Sequence, residues 1–304
     1  MYAFELDGAP PEWSGPLVLR VYPDYAGPLD VRRECCAQQV VAAQGVPAPR
    51  VVAFEDTART LDRPFMVMER LSGRPQMIVA FPSIFIEVPR LVTLPRRHAA
   101  AMNLVHSLDA APLVEAFAAA GIDRRAAGPD GWLDRTEKII DLWSFDGLRP
   151  AQAWLRANGP DDPPRVSICH GDLFGANILE RRGRVTGIID WNLVTVADPA
   201  FDLGGQLAAY EMSATPGPRV FQFLSIGFGR VLSWGLRGSY RKYRKLPRDT
   251  VRYYSTLRAF IELTHKLGQL AETEKTGVTR RMATWRPDQC ARYIQRRTGV
   301  RVVI

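Results

Sequence analysis

The segment CHGDLFGANIL, residues 169–179, concentrates side chains that can hold a metal ion and move a proton. Asp172 and Asn177 lie five residues apart, and Asp190 follows thirteen residues later in IIDW. Carboxylate and amide oxygens suit Mg²⁺, a hard cation that shares its coordination shell with phosphates. In phosphoryl transfer an aspartate also accepts the proton of the attacking hydroxyl. Each residue alone is typical of a loop turn, but the combination favours a phosphate-and-magnesium site.

Short β-rich segments precede this motif. YAFELDG and GPLVLRVYP are separated by the turn-forming APPEWS, which predicts an antiparallel pair. A helical pattern covers Leu29 to Gln44, with Val31, Cys35, Val40 and Val41 on its apolar side. RVVAFED and RPFMVMERL predict two further strands. The first seventy residues are therefore expected to form a β-rich lobe that contains one helix.

Longer helical patterns dominate after a change of character near residues 69–74. Short strands, RVSICH, NILE and RVTGIIDW, surround the polar motif, and PAFDLGGQLAAY begins a helix. The sequence thus predicts a two-lobed α+β fold, with an N-terminal lobe over residues 1–70 and a mainly helical lobe over residues 71–304. The other helices are expected at Leu94–Leu108, Trp132–Phe145, Ala151–Asn158, Arg219–Arg244, Thr250–Thr273 and Pro287–Arg297.

Composition excludes several classes of protein. The 304 residues are 46% hydrophobic and 24% charged, which is ordinary for a globular chain and too apolar for a disordered one. No run of about 18 apolar residues predicts a membrane span, and the N-terminus lacks the pattern of a secretory signal. We therefore expect a cytoplasmic protein with no membrane partner. The four cysteines lack metal-ligand spacing, and Cys35 and Cys36 are expected to pack as small apolar side chains.

Positive charge is concentrated near the C-terminus. The chain has a formal charge of +8, but residues 230–304 contain 18 Lys or Arg and 5 Asp or Glu, so the remainder is net acidic. This excess favours a neutral or anionic small molecule over a polycationic one. The segment RGSYRKYRKLPRDTVRYY also interleaves cations with tyrosines, as nucleic-acid-binding surfaces do. We regard nucleic-acid binding as the less favoured alternative, because charge runs on long helices are usually solvated faces.

Three motifs in this order resemble the aminoglycoside phosphotransferase and choline kinase-like family, whose members are related to protein kinases. HGDLFGANIL matches the family's HGDxxxxN loop, IIDW its metal-binding strand, and DPAFDLG its DPxxDL helix start. Weaker similarities are LVLRVYP in the third strand, FMVMERLSG at the lobe linker, and NLVHSLD in the first helix of the large lobe. The resemblance implies a protein kinase-like fold.

The same resemblance implies roles for the polar residues. Asp172 would be the catalytic base, and Asn177 and Asp190 would hold Mg²⁺. His170 is expected to brace the loop by hydrogen bonds rather than to act as an acid or base. Asp198 is expected to cap the helix that follows it, because aspartate is favoured at that position before a proline.

For ATP, the resemblance implies a second set of residues. Arg20 stands where many members have lysine, and it would pair with Glu34 and contact the α- and β-phosphates. Arginine keeps the charge, but its planar fork differs from a lysine point charge. The backbone of the linker would receive the adenine; its residues are Met68, Glu69, Arg70 and Leu71.

One part of the family pattern is not visible. Nineteen residues precede Arg20, which leaves room for the second strand but not for a first strand and its phosphate-covering loop. The chain is therefore expected to have an incomplete N-terminal lobe, because it is a shortened member, because its start lies upstream, or because the loop is dispensed with. The sequence predicts an ATP- and Mg²⁺-dependent kinase for a small-molecule hydroxyl. The alternative is a kinase-like binding protein without turnover.

Overall fold

The structure is a computed structural model that describes residues 1–22, 27–77, 88–160, 166–212, 219–277 and 286–304. Its contacts divide the chain into two compact units. Met1–Ala127 and Val166–Val196 form the first, and Gly128–Arg165 and Ala197–Ile304 form the second. The predicted lobe boundary near residues 69–74 falls inside the first unit, so the division into lobes at that point stays a prediction.

A four-stranded antiparallel sheet begins the first unit. The predicted pair is present as β1 (Tyr2–Phe4) and β2 (Leu17–Val21), with Ala3 opposite Val18. β4 (Phe65–Glu69) lies between β2 and β3 (Val51–Glu55), which gives the order β1-β2-β4-β3. The central position of β4 places its C-terminal end beside β2, the strand that carries Arg20.

Helix α1 (Pro28–Ala43) provides the packing partner of this sheet. Its side chains Val31 and Cys35 join Met66 and Met68 of β4 and the ring of Tyr22 in one apolar core. Burial of such side chains stabilises the fold by about 1.5–3 kcal/mol each. This packing fixes which face of α1 is turned toward the sheet.

The rest of the first unit combines short strands with three helices. β7 (Ile178–Arg181) pairs with β5 (Arg74–Pro75) and with β8 (Arg184–Ile188), while β6 (Ser167–Cys169) pairs with β9 (Thr195–Ala197). The polar motif therefore lies in connections between β6 and β7 and after β8. The helices are α2 (Val88–His106), α3 (Ala111–Ala119) and α4 (Arg124–Ala127).

The second unit is a helical assembly around one long helix. The backbone N–H of Ala200 donates to Asp198 Oδ1 at 2.7 Å, so Asp198 caps α7 as the sequence suggested. The helix predicted to reach Arg244 ends at Tyr240. α9 packs against α5, α6, α7 and α10. The helices are α5 (Pro129–Trp143), α6 (Arg149–Ala157), α7 (Ala200–Met212), α8 (Arg219–Tyr240), α9 (Arg248–Thr276) and α10 (Pro287–Thr298).

Helix length and hydropathy bear on the membrane question. Within the described ranges, no helix combines the length and the apolar character that a bilayer span requires.

The closest approach of α7 to α9 generates a prediction about stability. A Cβ atom at Gly204 would lie 2.7 Å from the backbone nitrogen of Ser255 and 2.8 Å from the carbonyl oxygen of Val251. We expect Gly204→Ala to lower the free energy of unfolding by about 1–3 kcal/mol, because the helix backbones must separate.

Its matched control is Gly205→Ala on the same helix. There the nearest atom to an added Cβ is Cγ of Arg258 at 3.6 Å, an ordinary contact. That variant should be neutral or more stable by up to about 1 kcal/mol, since alanine favours helix. Thermal and urea unfolding measure both changes, and equal stabilities of the two variants would contradict the proposed backbone contact.

Candidate active site

A tight loop between β6 and β7 carries the first part of the site. Gly171 has φ of +81°, a conformation that residues with side chains rarely adopt. A Cβ atom at this position would also overlap the backbone carbonyl of Leu193. The glycine of HGD is therefore required by both its dihedral angle and the close approach of another segment.

Asp172 and Asn177 contact each other directly within this loop. Asn177 Nδ2 donates to the carbonyl oxygen of Asp172 at 2.8 Å and to its Oδ2 at 3.1 Å. Because both partners are acceptors, the amide nitrogen must be on this side of the carboxamide. Asn177 Oδ1 accepts no hydrogen bond from any residue that the structure describes, which leaves it available as an oxygen ligand.

His170 joins this loop to the segment that contains Asp190. Its Nδ1 accepts the backbone N–H of Asp172 at 3.3 Å, so Nε2 carries the proton and donates to the carbonyl oxygen of Ile189 at 3.0 Å. The ring is buried, and its centroid is 4.5 Å from that of Trp191. With both nitrogens bonded to backbone, His170 acts as the expected brace.

Asp190 follows β8 in a left-handed conformation, with φ of +68° and ψ of +61°. The N–H of Ile189 donates to the carbonyl oxygen of Asn177 at 3.0 Å, which ties this segment to the loop. Asp190 Oδ1 accepts a hydrogen bond from Arg20 Nη1 at 2.7 Å. Asp172, Asn177 and Asp190 are thus held in one hydrogen-bonded group.

Arg20 connects this group to helix α1. The same Nη1 atom lies 3.0 Å from Glu34 Oε1, and Glu34 is fully buried. Burial alone would lower the pKa of Arg20, but the carboxylates of Glu34 and Asp190 raise it above its ordinary value. Arg20 therefore remains a cation between two carboxylates, as the resemblance implied for its pairing with Glu34.

Two residues that the sequence did not single out support Glu34. Tyr22 Oη donates to Glu34 Oε2 at 2.6 Å, and Gln38 Nε2 lies 3.3 Å from Oε1. Burial raises the pKa of Glu34 to about 7, although the charge of Arg20 acts in the opposite direction. The spacing was a usable signal, because Tyr22 is two residues from Arg20 on one strand and Gln38 is one helical turn from Glu34.

The predicted adenine segment lies at the end of β4. The N–H of Glu69 donates to Arg50 at 2.9 Å, and that of Arg70 donates to Pro16 at 2.8 Å, both to carbonyl oxygens. Met68 pairs with Val18 in the sheet. Among the described residues, the N–H of Leu71 has no acceptor, which makes it the available donor of this segment.

Comparison with known proteins follows this geometry. Residues 12–234 match the phosphotransferase enzyme family, which is well over half of the chain. The chain belongs to this family.

Relatives of this phosphotransferase family member have diverse names. Acyl-CoA dehydrogenase family member 11 of Rattus norvegicus is 27% identical over 57% of the chain and 22% of the relative. Viomycin phosphotransferase of Streptomyces vinaceus is 27% identical over 55% of the chain and 57% of the relative. Homoserine kinase of Methylocella silvestris is 30% identical over 56% and 50%. Each match thus covers less than two thirds of the relative's own length.

Solved structures of aminoglycoside phosphotransferases share the fold of this family member. The type VIII aminoglycoside-3'-phosphotransferase has a TM-score of 0.59 at 22% identity, covering 82% of this chain and 86% of its own. A thermostable mutant of another aminoglycoside phosphotransferase, solved with AMP-PNP and hygromycin B, has a TM-score of 0.61 at 15% identity, covering 96% and 88%. The predicted protein kinase-like α+β fold and the family resemblance are confirmed. The roles of the individual site residues stay predictions.

The support of Glu34 generates the next prediction. Tyr22→Phe should lower the free energy of unfolding by about 1–3 kcal/mol at pH 8, because a buried carboxylate oxygen loses its donor. The loss should shrink at pH 6, since a carboxyl group with a pKa of about 7 is then mostly neutral. Tyr2→Phe is the control, because Tyr2 is exposed on the same sheet. Chemical denaturation at the two pH values measures both, and equal small losses would contradict this role.

Proposed function

We propose that the protein is an ATP- and Mg²⁺-dependent phosphotransferase that phosphorylates a hydroxyl group of a small molecule. The observation that carries this proposal is the hydrogen-bonded group of Asp172, Asn177 and Asp190 beside the Arg20–Glu34 ion pair. Membership of the phosphotransferase enzyme family supports the reaction class. A retired kinase-like protein would have no need to hold these side chains in contact.

Asp172 is the proposed base. Its Oδ2 accepts from Asn177, and its backbone N–H is fixed by His170, so both ends of the residue are restrained. A restrained carboxylate can accept the proton of an acceptor hydroxyl while the hydroxyl oxygen bonds to the phosphorus of the transferred group. The phosphorus–oxygen bond to the nucleoside diphosphate breaks, and the proton remains on Asp172 until it is released to solvent.

Asn177 and Asp190 are the proposed magnesium ligands. The donor set fits, because Asn177 Oδ1 accepts no bond within the described chain and Arg20 bonds to only one of the two Asp190 carboxylate oxygens. Oxygen donors of this kind suit a hard cation. When bound, Mg²⁺ supplies charge neutralisation for the phosphates.

Arg20 and Leu71 are the proposed nucleotide contacts. Both carboxylate contacts of Arg20 use Nη1, so its Nη2 and Nε groups have no acceptor among the described residues. A guanidinium with free N–H groups can bond phosphate oxygens while Nη1 remains held. The N–H of Leu71, which lacks an acceptor in the described chain, would donate to the adenine. A relative of the same fold was solved with the nucleotide analogue AMP-PNP.

Replacement of Asp172 tests the proposed base. We expect Asp172→Asn to lower turnover by about 10²–10⁴-fold and to leave the affinity for Mg-AMP-PNP within about threefold, because the amide keeps the size but cannot accept the proton. Radiolabelled phosphate transfer from ATP measures turnover, and calorimetry measures binding. Undiminished turnover in this variant would refute the assignment.

Asp190→Ala is the contrasting variant. It removes a proposed metal ligand, so it should weaken Mg-AMP-PNP binding as well as turnover. Binding in the absence of Mg²⁺ should change little. If both aspartate variants lost binding equally, the division of roles between base and metal ligand would be wrong.

We further propose that the acceptor is neutral or anionic. The 18 basic and 5 acidic residues between positions 230 and 304 give this part of the chain a strongly positive field, which disfavours a polycationic acceptor. The named relatives include both a viomycin phosphotransferase and a homoserine kinase, so the family accommodates different acceptors.

A substrate panel tests the acceptor. Homoserine and phosphorylated alcohols should give a kcat/KM at least tenfold higher than hygromycin B, viomycin or kanamycin. ATP consumption coupled to product detection measures each rate. Efficient phosphorylation of the cationic compounds would overturn the acceptor proposal while leaving the kinase proposal intact.

A further inference from the structure

A cavity of about 180 Å³ lies within the second unit, where α7 and the C-terminal end of α8 meet the beginning of α9. Leu203, Tyr240 and Val251 are buried and form part of its wall. Because these side chains also pack the helices together, the cavity is a fixed feature of the helical core and not a gap in a surface loop.

Cations form the opposite side of this cavity. Arg237, Arg241, Lys245 and Arg248 all line it, and no lining residue is acidic. None of these four side chains has an ion-pair or hydrogen-bond partner in the part of the chain that the structure describes. Elsewhere in this unit cations are matched, as Arg258 is with Glu262 at 2.8 Å. Four uncompensated charges around one concave space create a strong positive potential.

The N-terminal end of α9 adds to this potential. Arg248 is the first residue of this 29-residue helix, and the preceding Pro247 offers no side-chain cap. The first backbone N–H groups of a helix lack partners inside the helix and carry a partial positive charge. Arg248 and Val251 both line the cavity, so this end of the helix lies at its edge.

We propose that this cavity binds a small molecule through a phosphate or diphosphate group. Guanidinium groups bond phosphate oxygens in pairs, and a helix N-terminus favours the same charge. The apolar wall of Leu203, Tyr240 and Val251 suits a carbon skeleton attached to the phosphate. This proposal does not depend on kinase activity, since all of its residues belong to the second unit.

The burial of tyrosines favours a small molecule over a nucleic acid. Single-stranded nucleic acids bind by stacking bases on exposed aromatic rings. In the basic segment between residues 237 and 254, Tyr240, Tyr253 and Tyr254 are buried, and Tyr243 is exposed. The interleaved tyrosines that suggested nucleic-acid binding therefore serve mainly to pack the helices.

Calorimetry with sodium pyrophosphate, without Mg²⁺, tests the proposal on the full chain. We expect one saturable site that the double variant Arg241→Gln/Arg248→Gln weakens at least tenfold, since each charged hydrogen bond contributes about 1.5–3 kcal/mol. Lys242→Gln is the matched control, because Lys242 is exposed in the same segment but does not line the cavity. It should change the affinity less than twofold.

Further arms separate the alternatives. Arg241→Lys/Arg248→Lys should recover most of the affinity, and unchanged melting temperatures should show that the variants fold. Equal weakening by Lys242→Gln would mean a diffuse charge effect and would overturn the site. Unaltered affinity in the double glutamine variant would place pyrophosphate elsewhere. Binding of an unstructured oligonucleotide without binding of pyrophosphate would overturn the small-molecule assignment.

Discussion

The Arg20 guanidinium, shared between Glu34 and Asp190, is the interaction on which the candidate active site depends. It joins β2, α1 and the segment after β8, three elements that are far apart in the sequence. Opposite charges this close attract strongly once they are withdrawn from water. A displacement of α1 would therefore leave Arg20 with one carboxylate and Glu34 buried without its cation. The position of Asp190 is coupled in this way to the packing of a helix.

A buried carboxylate is costly unless its oxygens are bonded, and this cost explains the surroundings of Glu34. Arg20, Tyr22 and Gln38 together contact both of its oxygens. Replacing one partner leaves the others in place but exposes an unsatisfied charge, which is more destabilising than losing a surface pair. The apolar contacts of Cys35 on the same helix keep water from this group. Stability and the proposed chemistry therefore rest on the same side chains.

The sequence was informative where pattern and local chemistry coincide. The β1–β2 pair and α1 follow from alternation and helical period, and the loop from His170 to Asn177 follows from its motif. Other elements carry no such signal. β5 is two residues long and β9 three, too short for any period. Helix α3 was not predicted, although Asp109 accepts the N–H of Ala111 at 3.0 Å and so marks its beginning.

Contacts across long sequence separations were beyond pattern reasoning. Tyr22 bonding to Glu34 requires the packed core, and the cavity beside α9 requires three helix ends to converge. The active-site residues belong to the first unit and the cavity residues to the second. Two such sites are independent unless binding at one changes the free energy of the other. Any coupling must be reciprocal, so the effect of pyrophosphate on nucleotide affinity must equal the effect of nucleotide on pyrophosphate affinity. That equality distinguishes a second site from competition for one.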